Sequence, residues 1–130
     1  MAHLEHANIT VRDAEAAAAT LCDLFGWRIR WSGDAIGGGR SVHVGDDEAY
    51  LALYTPAGEV ADGPSSYGLQ RCLNHVGIVV DDLDASEALV RDAGFVPRSH
   101  ADYEPGRRFY FDGPDGLEIE VVAYDNASAS

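Results

Sequence analysis

The sequence predicts an α+β fold in which two tandem β-α-β-β-β modules form a curved mixed sheet around a concave site. The first observation is a repeated pattern, H-x-x-I-x-V-x-D, at residues 6–13 and again at 75–82 of a 130-residue chain. The second is that each copy begins a segment in which one helical pattern is followed by three strand patterns. An internal repeat of this kind indicates two copies of one supersecondary unit.

The first module covers about residues 4–55. Residues 4–11 alternate between the two faces of a strand and are rich in β-branched types. Asp13 suits the N-cap of a helix whose apolar stripe has helical spacing, and Gly26 suits its C-terminal end. The remaining strand patterns lie at 28–32, 40–44 and 48–55.

The second module covers about residues 73–124 and repeats this order. A strand is predicted at 73–80 and a helix at 83–93, with Gly94 ending the helix as Gly26 ends the first one. The remaining strand patterns lie near 95–98, 107–112 and 117–124.

A linker of about residues 56–72, rich in Pro, Gly and Ser, joins the modules. Because the second module repeats the first, and because the chain has an ordinary single-domain length, residues 1–130 are predicted to form one domain. The two cysteines form no disulfide framework and no C-x-x-C motif.

The charge is strongly acidic, with 22 Asp and Glu against 9 Lys and Arg and a net charge of -13. Such a field repels nucleic acids and anionic membranes, so neither is an expected partner. The sequence has neither an apolar run of about 20 residues nor a signal-peptide pattern at its start, and we expect a cytoplasmic protein.

Candidate metal ligands emerge from strand alternation. The apolar positions of each first strand should face the helix, which directs His6 and His75 inward. Aligning the turns before the last strands matches Glu120 with Ala52, and the apolar neighbours of Glu120 again direct its carboxylate inward.

An ionised carboxylate inside a sheet concavity costs several kcal/mol if it is unpaired, so Glu120 needs a partner. The partner is either a metal held together with His6 and His75, or an arginine such as Arg107 or Arg108. Two imidazoles and one carboxylate leave coordination positions open, which suits a divalent metal such as Fe, Mn, Ni, Co or Zn.

The chain resembles the vicinal oxygen chelate superfamily, which includes glyoxalase I, methylmalonyl-CoA epimerase, extradiol dioxygenases and bleomycin- or fosfomycin-resistance proteins. The resemblance spans nearly the whole chain, so residues 1–130 are expected to be a single vicinal-oxygen-chelate domain. The segments that carry it are Leu4-Glu5-His6, Val11-Arg12-Asp13, Phe25-Gly26-Trp27, Asn74-His75-Val76, Val80-Asp81-Asp82, Ala93-Gly94-Phe95 and the closing Phe111-Asp112-Gly113-Pro114-Asp115-Gly116-Leu117-Glu118-Ile119-Glu120.

The resemblance implies that His6, His75 and Glu120 are the metal ligands. It also shows a departure, because glyoxalase I has a glutamate where this chain has Ala52, so the four-ligand site of that enzyme is incomplete here. Tyr110 resembles a tyrosine that extradiol dioxygenases keep near their metal, and it is the candidate catalytic residue.

The resemblance further implies an enzyme of the glyoxalase or dioxygenase type that binds one divalent metal and a small oxygen-chelating substrate. Its chemistry is either that of a Lewis-acid lyase or isomerase, or that of an extradiol-type oxygenase. The alternative is a metal-free, bleomycin-resistance-like protein that binds a drug or a small aromatic molecule, with Trp27, Trp31 and Tyr50 as stacking residues. A homodimer is expected by resemblance.

Candidate pocket residues are less sharply defined. Tyr50 and Tyr54 either line the cavity near Ala52 or cover a dimer surface. Arg108, with its neighbour Arg107, either binds an anionic group of the substrate or belongs to the surface. His43 and His100 have no motif support and are predicted to be surface or loop residues.

Overall fold

The structure is a computed structural model that describes residues 1–35, 37–103 and 106–124. Within these ranges the predicted order of elements occurs twice. The first half contains β1 (His6–Thr10), α1 (Ala14–Phe25), β2 (Arg28–Asp34), β3 (Arg40–Gly45) and β4 (Tyr50–Thr55). The second half contains β5 (Val76–Val79), α2 (Leu83–Asp92), β6 (Arg98–Tyr103), β7 (Gly106–Asp112), a 3-10 turn (Pro114–Gly116) and β8 (Glu118–Tyr124).

Each half forms its own four-stranded mixed sheet. The strand orders are β1-β4-β3-β2 and β5-β8-β7-β6, and in each sheet the first strand runs parallel to the last while the other neighbours are antiparallel. The chain divides into two compact units, Met1–Asp62 and Gly63–Ser130, which we call the first and the second unit. No helix in the described ranges has the length and apolar character needed to cross a membrane.

The helices begin where the sequence predicts them to begin. The carboxylate of Asp13 accepts a hydrogen bond from the backbone N–H of Ala16, and that of Asp82 accepts one from Ala85, each at 3.0 Å. Such a cap stabilises a helix by about 1 kcal/mol. The first helix ends at Gly26, whose φ of 69° is accessible to glycine at little cost and whose N–H donates to the carbonyl of Cys22.

Each helix covers one face of its sheet and forms the core there. In the first unit the fully buried side chains include Ala18, Leu21, Val42, Val44 and Leu53. In the second unit they include Val90, Phe109, Phe111, Ile119 and Val121. Because strand side chains alternate between faces, the residues between these core positions point to the opposite face of each sheet, where the candidate ligands lie.

The strand predicted near 95–98 is wrong, since the structure has β6 at Arg98–Tyr103. The N–H of Phe95 donates to the carbonyl of Val90, so this part of the chain closes the end of α2 and cannot also be a strand. β6 itself is polar and irregular, with a register shift after Arg98 and a positive φ of 56° at Ser99. Both features remove the alternation by which a strand is recognised.

A turn in the first unit offers a test of pH-dependent stability. Asp46 accepts hydrogen bonds from the backbone N–H groups of Glu48 and Ala49 at 2.8 and 3.0 Å, and these bonds lower the pKa of Asp46 from its ordinary 3.8. A lowered folded-state pKa contributes stability at neutral pH that is lost as the pH falls through 3.8 and below. Because the turn is exposed and water screens its charge, we expect Asp46→Asn to cost less than about 1 kcal/mol at pH 7 and less still at pH 3, measured by urea unfolding. The exposed Glu59→Gln is the control, and an equal loss at both pH values would contradict the expectation.

Candidate functional site

Strand pairing in the second unit brings His75 and Glu120 together. His75 precedes β5, in which Gly77 pairs with Glu120 of the parallel strand β8. The two side chains meet with His75 Nε2 3.0 Å from Glu120 Oε1. Glu120 is only 9% exposed and is the one charged residue among the buried residues of the described ranges. A buried carboxylate in this position must be compensated by its neighbours.

Arg108 supplies the first part of that compensation. Its guanidinium donates to Glu120 Oε2 at 2.6 Å, and both side chains are 11% exposed. The guanidinium also lies over the ring of Tyr103, 4.3 Å from its centroid. Burial alone lowers the pKa of Arg108, but the hydrogen bond and charge of Glu120 outweigh it and raise that pKa. Arg107, the other arginine considered, instead pairs with Asp84 at 3.1 Å.

Tyr110 lies directly across the β7–β8 hairpin from Glu120. Its ring stands edge-on to the imidazole of His75, with centroids 5.6 Å apart and planes at 82°. Burial, followed by the charge of Glu120, raises the pKa of Tyr110. The phenol therefore keeps its proton at neutral pH and is suited to donate a hydrogen bond beside this pair.

The other ring nitrogen of His75 has a partner that sequence reasoning missed. The hydroxyl of Tyr67 lies 3.3 Å from His75 Nδ1 and donates to the carboxylate of Glu118. Arg98 donates to the second oxygen of Glu118 at 3.0 Å. Tyr67 belongs to the linker, where no periodicity marks it, whereas alternation does place Glu118 on the face of Glu120.

His6 has a comparable arrangement in the first unit. Its Nδ1 lies 2.8 Å from Glu5 Oε1, and the hydroxyl of Tyr50 donates to the same oxygen at 3.3 Å. The rings of His6 and Tyr50 are stacked, with centroids 4.9 Å apart and planes at 17°. The hydrogen bond with His6 is the main cause that lowers the pKa of Glu5. Glu5 is therefore ionised at neutral pH and accepts the bond.

The hairpin register of the first unit supports the match between Ala52 and Glu120. Ala52 pairs with His43 across β3–β4, just as Glu120 pairs with Tyr110 across β7–β8. The prediction that His43 is a surface or loop residue is therefore wrong, because it is a partly buried strand residue on the candidate face. By this pairing across the hairpin, His43 occupies in the first unit the place that Tyr110 occupies in the second. Burial, followed by the positive charges nearby, lowers the pKa of His43.

The remaining pocket candidates lie beside Ala52 on β4. Tyr50 and Tyr54 flank it on the same face by strand alternation. The guanidinium of Arg30 lies 4.6 Å from the centroid of the Tyr50 ring. Trp31, which is 50% exposed, pairs with His43 in register and contacts its ring at 4.9 Å. These rings form an aromatic surface on the first sheet.

In each of the two imidazoles an oxygen atom lies next to Nδ1. Glu5 is an acceptor, so His6 carries its proton on Nδ1. Tyr67 has a single proton and donates it to Glu118, so its oxygen is available to accept a hydrogen bond from His75 Nδ1. A histidine whose Nδ1–H is held by an acceptor binds a metal through Nε2.

The positions of His75 and Glu120 bear on whether the site fits a metal. His75 Nε2 lies 3.0 Å from Glu120 Oε1, a distance at which the two atoms attract each other only through a proton or a cation. Either a second proton or a metal cation must lie between them. Imidazole and carboxylate are suitable donors for a divalent metal. Among the described residues, no group of three or more His, Cys, Asp or Glu side chains is assembled as a metal site.

Comparisons with known proteins agree with this architecture. A family model described as the Glyoxalase/Bleomycin resistance protein/Dioxygenase superfamily matches residues 3–121. A glyoxylase/bleomycin resistance protein/dioxygenase domain from Frankia sp. EAN1pec aligns with a TM-score of 0.79 and 17% identity, over 95% of this chain and 98% of its own. Glyoxalase I of Leishmania major aligns with a TM-score of 0.78 and 18% identity, over 99% of this chain and 91% of its own. The antibiotic-binding protein TnmS3 from Streptomyces sp. CB03234 aligns with a TM-score of 0.71 and 20% identity, over 96% of this chain and 98% of its own.

These identities are low, so the structural likenesses concern the fold. A search of curated proteins found no match.

Proposed function

Since this chain belongs to the Glyoxalase/Bleomycin resistance protein/Dioxygenase superfamily, we propose that it is a divalent-metal-dependent enzyme acting on a small substrate that carries neighbouring oxygen atoms. His6, His75 and Glu120 are the proposed ligands. The observation that carries the proposal is the approach of His75 Nε2 to the buried Glu120 Oε1, 3.0 Å apart. A cation held by both atoms gives the buried carboxylate a second partner.

The ligands have the supports that metal-binding side chains need. Glu5 holds Nδ1 of His6, so Nε2 is left to bind the metal. Arg108 binds one oxygen of Glu120 and leaves the other, Oε1, for the metal. With three protein ligands, positions remain open for two substrate oxygens, and Ala52 adds no fourth ligand.

A metal bound there supplies Lewis-acid chemistry for a lyase or isomerase, or oxygen chemistry if it is iron. Tyr110 stands beside His75 with a raised pKa and holds a proton next to the substrate position. The aromatic surface of Trp31, His43 and Tyr50 offers ring contacts to an unsaturated substrate.

Metal analysis of protein purified without chelators tests the proposal. We expect about one divalent ion per chain, and we expect each of His6→Ala, His75→Ala and Glu120→Ala to lose it or to weaken binding by more than about tenfold. His3→Ala, which changes a histidine outside the proposed set, is the control and should bind metal as the wild type does. Oxygen uptake with catechol and Fe(II) would then assign the oxygenase class, and proton exchange or isomerisation with Ni(II), Co(II) or Zn(II) the other class.

The second candidate function is metal-free binding of a small aromatic molecule. Two observations favour it, namely that Arg108 already pairs with Glu120 and that Trp31 presents a half-exposed ring beside His43. If the wild type binds no metal, and if Ni(II), Fe(II) and Zn(II) leave its thermal stability unchanged, the enzyme proposal fails. Quenching of tryptophan fluorescence by bleomycin or catechol in the presence of a chelator would then support the binding function.

A further inference from the structure

A β-bulge in β2 turns two neighbouring side chains to the same face of the first sheet. The register of β2 against β3 shifts between Ile29 and Trp31, which makes Arg30 the extra residue of the strand. Neighbouring residues of a regular strand point to opposite faces, whereas a bulge can direct both to one face. Here the ring of Trp31 contacts that of His43, and the guanidinium of Arg30 lies 4.6 Å from the centroid of the Tyr50 ring. The bulge therefore places a cation beside the aromatic surface.

Arg30 differs from the other arginines of the first unit in its electrostatic partners. Its Nη1 donates to the backbone carbonyl of Asp46 at 3.0 Å, and within the described residues it forms no salt bridge with a carboxylate. The Glu5 carboxylate, which also lies near Tyr50, is instead bound by His6 Nδ1 and by the Tyr50 hydroxyl. A guanidinium has several N–H donors, so Arg30 has donors left for a ligand. The other arginines of the first unit each bind a carboxylate, in the pairs Arg12–Asp62, Arg28–Asp47 and Arg40–Glu15.

The guanidinium and the rings together suit a planar anion. Because the chain has a net charge of -13, it repels anions at a distance, and a bound carboxylate needs a positive group in direct contact. Arginine meets this need because its planar fork binds a carboxylate through two parallel hydrogen bonds. The ring of Tyr50 restrains the guanidinium of Arg30, which lowers the entropy lost on binding. Trp31, which is 50% exposed, offers a flat apolar face to an aromatic ring.

We propose that Arg30 and Trp31 form a binding site for a small aromatic carboxylate, with the carboxylate group on Arg30 and the ring against Trp31. The rings of His6 and Tyr50 are stacked with their centroids 4.9 Å apart, so the site adjoins a proposed metal ligand. All four residues belong to the first unit. That the bound anion is the substrate of the enzyme rests on the proposed function. The binding of the anion does not, because no metal takes part in it.

Titration of the metal-free protein with benzoate and with benzamide, in the presence of a chelator, tests the proposal. The two probes have the same ring and nearly the same shape, but only benzoate is charged at neutral pH. Backbone amide signals of β2 and β3, followed by nuclear magnetic resonance, report the binding. We expect the wild type to bind benzoate about tenfold or more tightly than benzamide, and Arg30→Gln to bring this ratio close to one. Trp31→Ala should weaken the binding of both probes.

Arg28→Gln is the matched control. It removes the same charge from the same strand, but from an arginine that is already paired with Asp47, so it should keep the ratio of the wild type. If Arg28→Gln lowers the ratio as much as Arg30→Gln does, the preference reflects net charge and the site is overturned. Amide signals that stay in place outside β2 and β3 show that each variant is folded.

The remaining outcomes separate this inference from the proposed function. If wild type binds benzoate and benzamide equally well, or if Arg30→Gln keeps the preference for benzoate, the anion site is overturned whether or not the protein binds a metal. If the preference depends on Arg30 while the wild type binds no metal, the anion site stands and the metal-dependent function fails.

Discussion

Replacing Arg108 with methionine is expected to lower the free energy of unfolding of the metal-free protein by about 3 kcal/mol or more. The guanidinium lies 2.6 Å from Glu120 Oε2, and both side chains are 11% exposed. Removing one member of a buried ion pair leaves the other charge without compensation, which costs far more than losing a surface pair. Urea unfolding in the presence of a chelator measures the change.

Arg107→Met is the matched control for this prediction. Arg107 is the next residue on the same strand, but its pair with Asp84 is solvent-exposed, so its loss should cost less than about 1 kcal/mol. The double variant Arg108→Met/Glu120→Leu should be more stable than Arg108→Met alone, because it removes the stranded carboxylate as well. Equal losses in Arg107→Met and Arg108→Met would contradict the buried-pair interpretation.

Added Zn(II) or Ni(II) should restore part of the stability that Arg108→Met loses. In that variant the metal replaces the guanidinium as the positive charge next to Glu120, so binding to the folded state is favoured. Recovery on adding metal would also show that Arg108 and the metal compensate the same carboxylate.

Most of the fold can be predicted from the sequence repeat. The H-x-x-I-x-V-x-D pattern marks the start of each unit, and counting from the turns brings Ala52 and Glu120 to matching places in the two sheets. The sequence patterns left both Arg107 and Arg108 open as partners of Glu120. In the structure Phe109 is a core residue and Arg107 shares its face. Arg108 therefore had to lie on the face of Glu120.

The sequence patterns did not reveal the segments of the chain that lack a hydrophobic periodicity. β6 is polar and bulged, and its first residues follow a helix end that uses the backbone of Phe95. Tyr67 reaches Glu118, 51 residues further along the chain, from a turn with no periodicity. Such contacts arise when the chain is folded back, so local propensity contains no signal for them.

Introducing the missing carboxylate with Ala52→Glu is expected to destabilise the metal-free protein by about 3 kcal/mol or more. Ala52 is 2% exposed, and the residue across the hairpin is His43. In the second unit Arg108 compensates Glu120 from the neighbouring strand position, but Ser41 stands at the matching place of the first unit. A new carboxylate at position 52 thus enters a buried site without a guanidinium partner.

Ala52→Gln is the control for this substitution, because it has nearly the same size and no charge. Its cost measures the space for a longer side chain, and the difference between the glutamate and glutamine variants measures the charge. The double variant Ser41→Arg/Ala52→Glu should recover part of that difference, since it recreates the Arg108–Glu120 pair in the first unit. If glutamine and glutamate cost the same, the effect is steric and the electrostatic argument fails.

In metal affinity the two variants should rank in the opposite order to their stability, with Ala52→Glu above Ala52→Gln. A carboxylate at position 52 adds a negative oxygen donor to the sheet face of the first unit that carries His6, the proposed ligand of that unit. We expect the affinity of Ala52→Glu for Zn(II) or Ni(II) to rise about tenfold or more, measured by competition with a chelating dye. Ala52→Gln should not gain affinity to this extent. If Ala52→Glu is destabilised but gains no affinity, position 52 does not face the metal. The absence of a fourth ligand could then not be attributed to the alanine at this position.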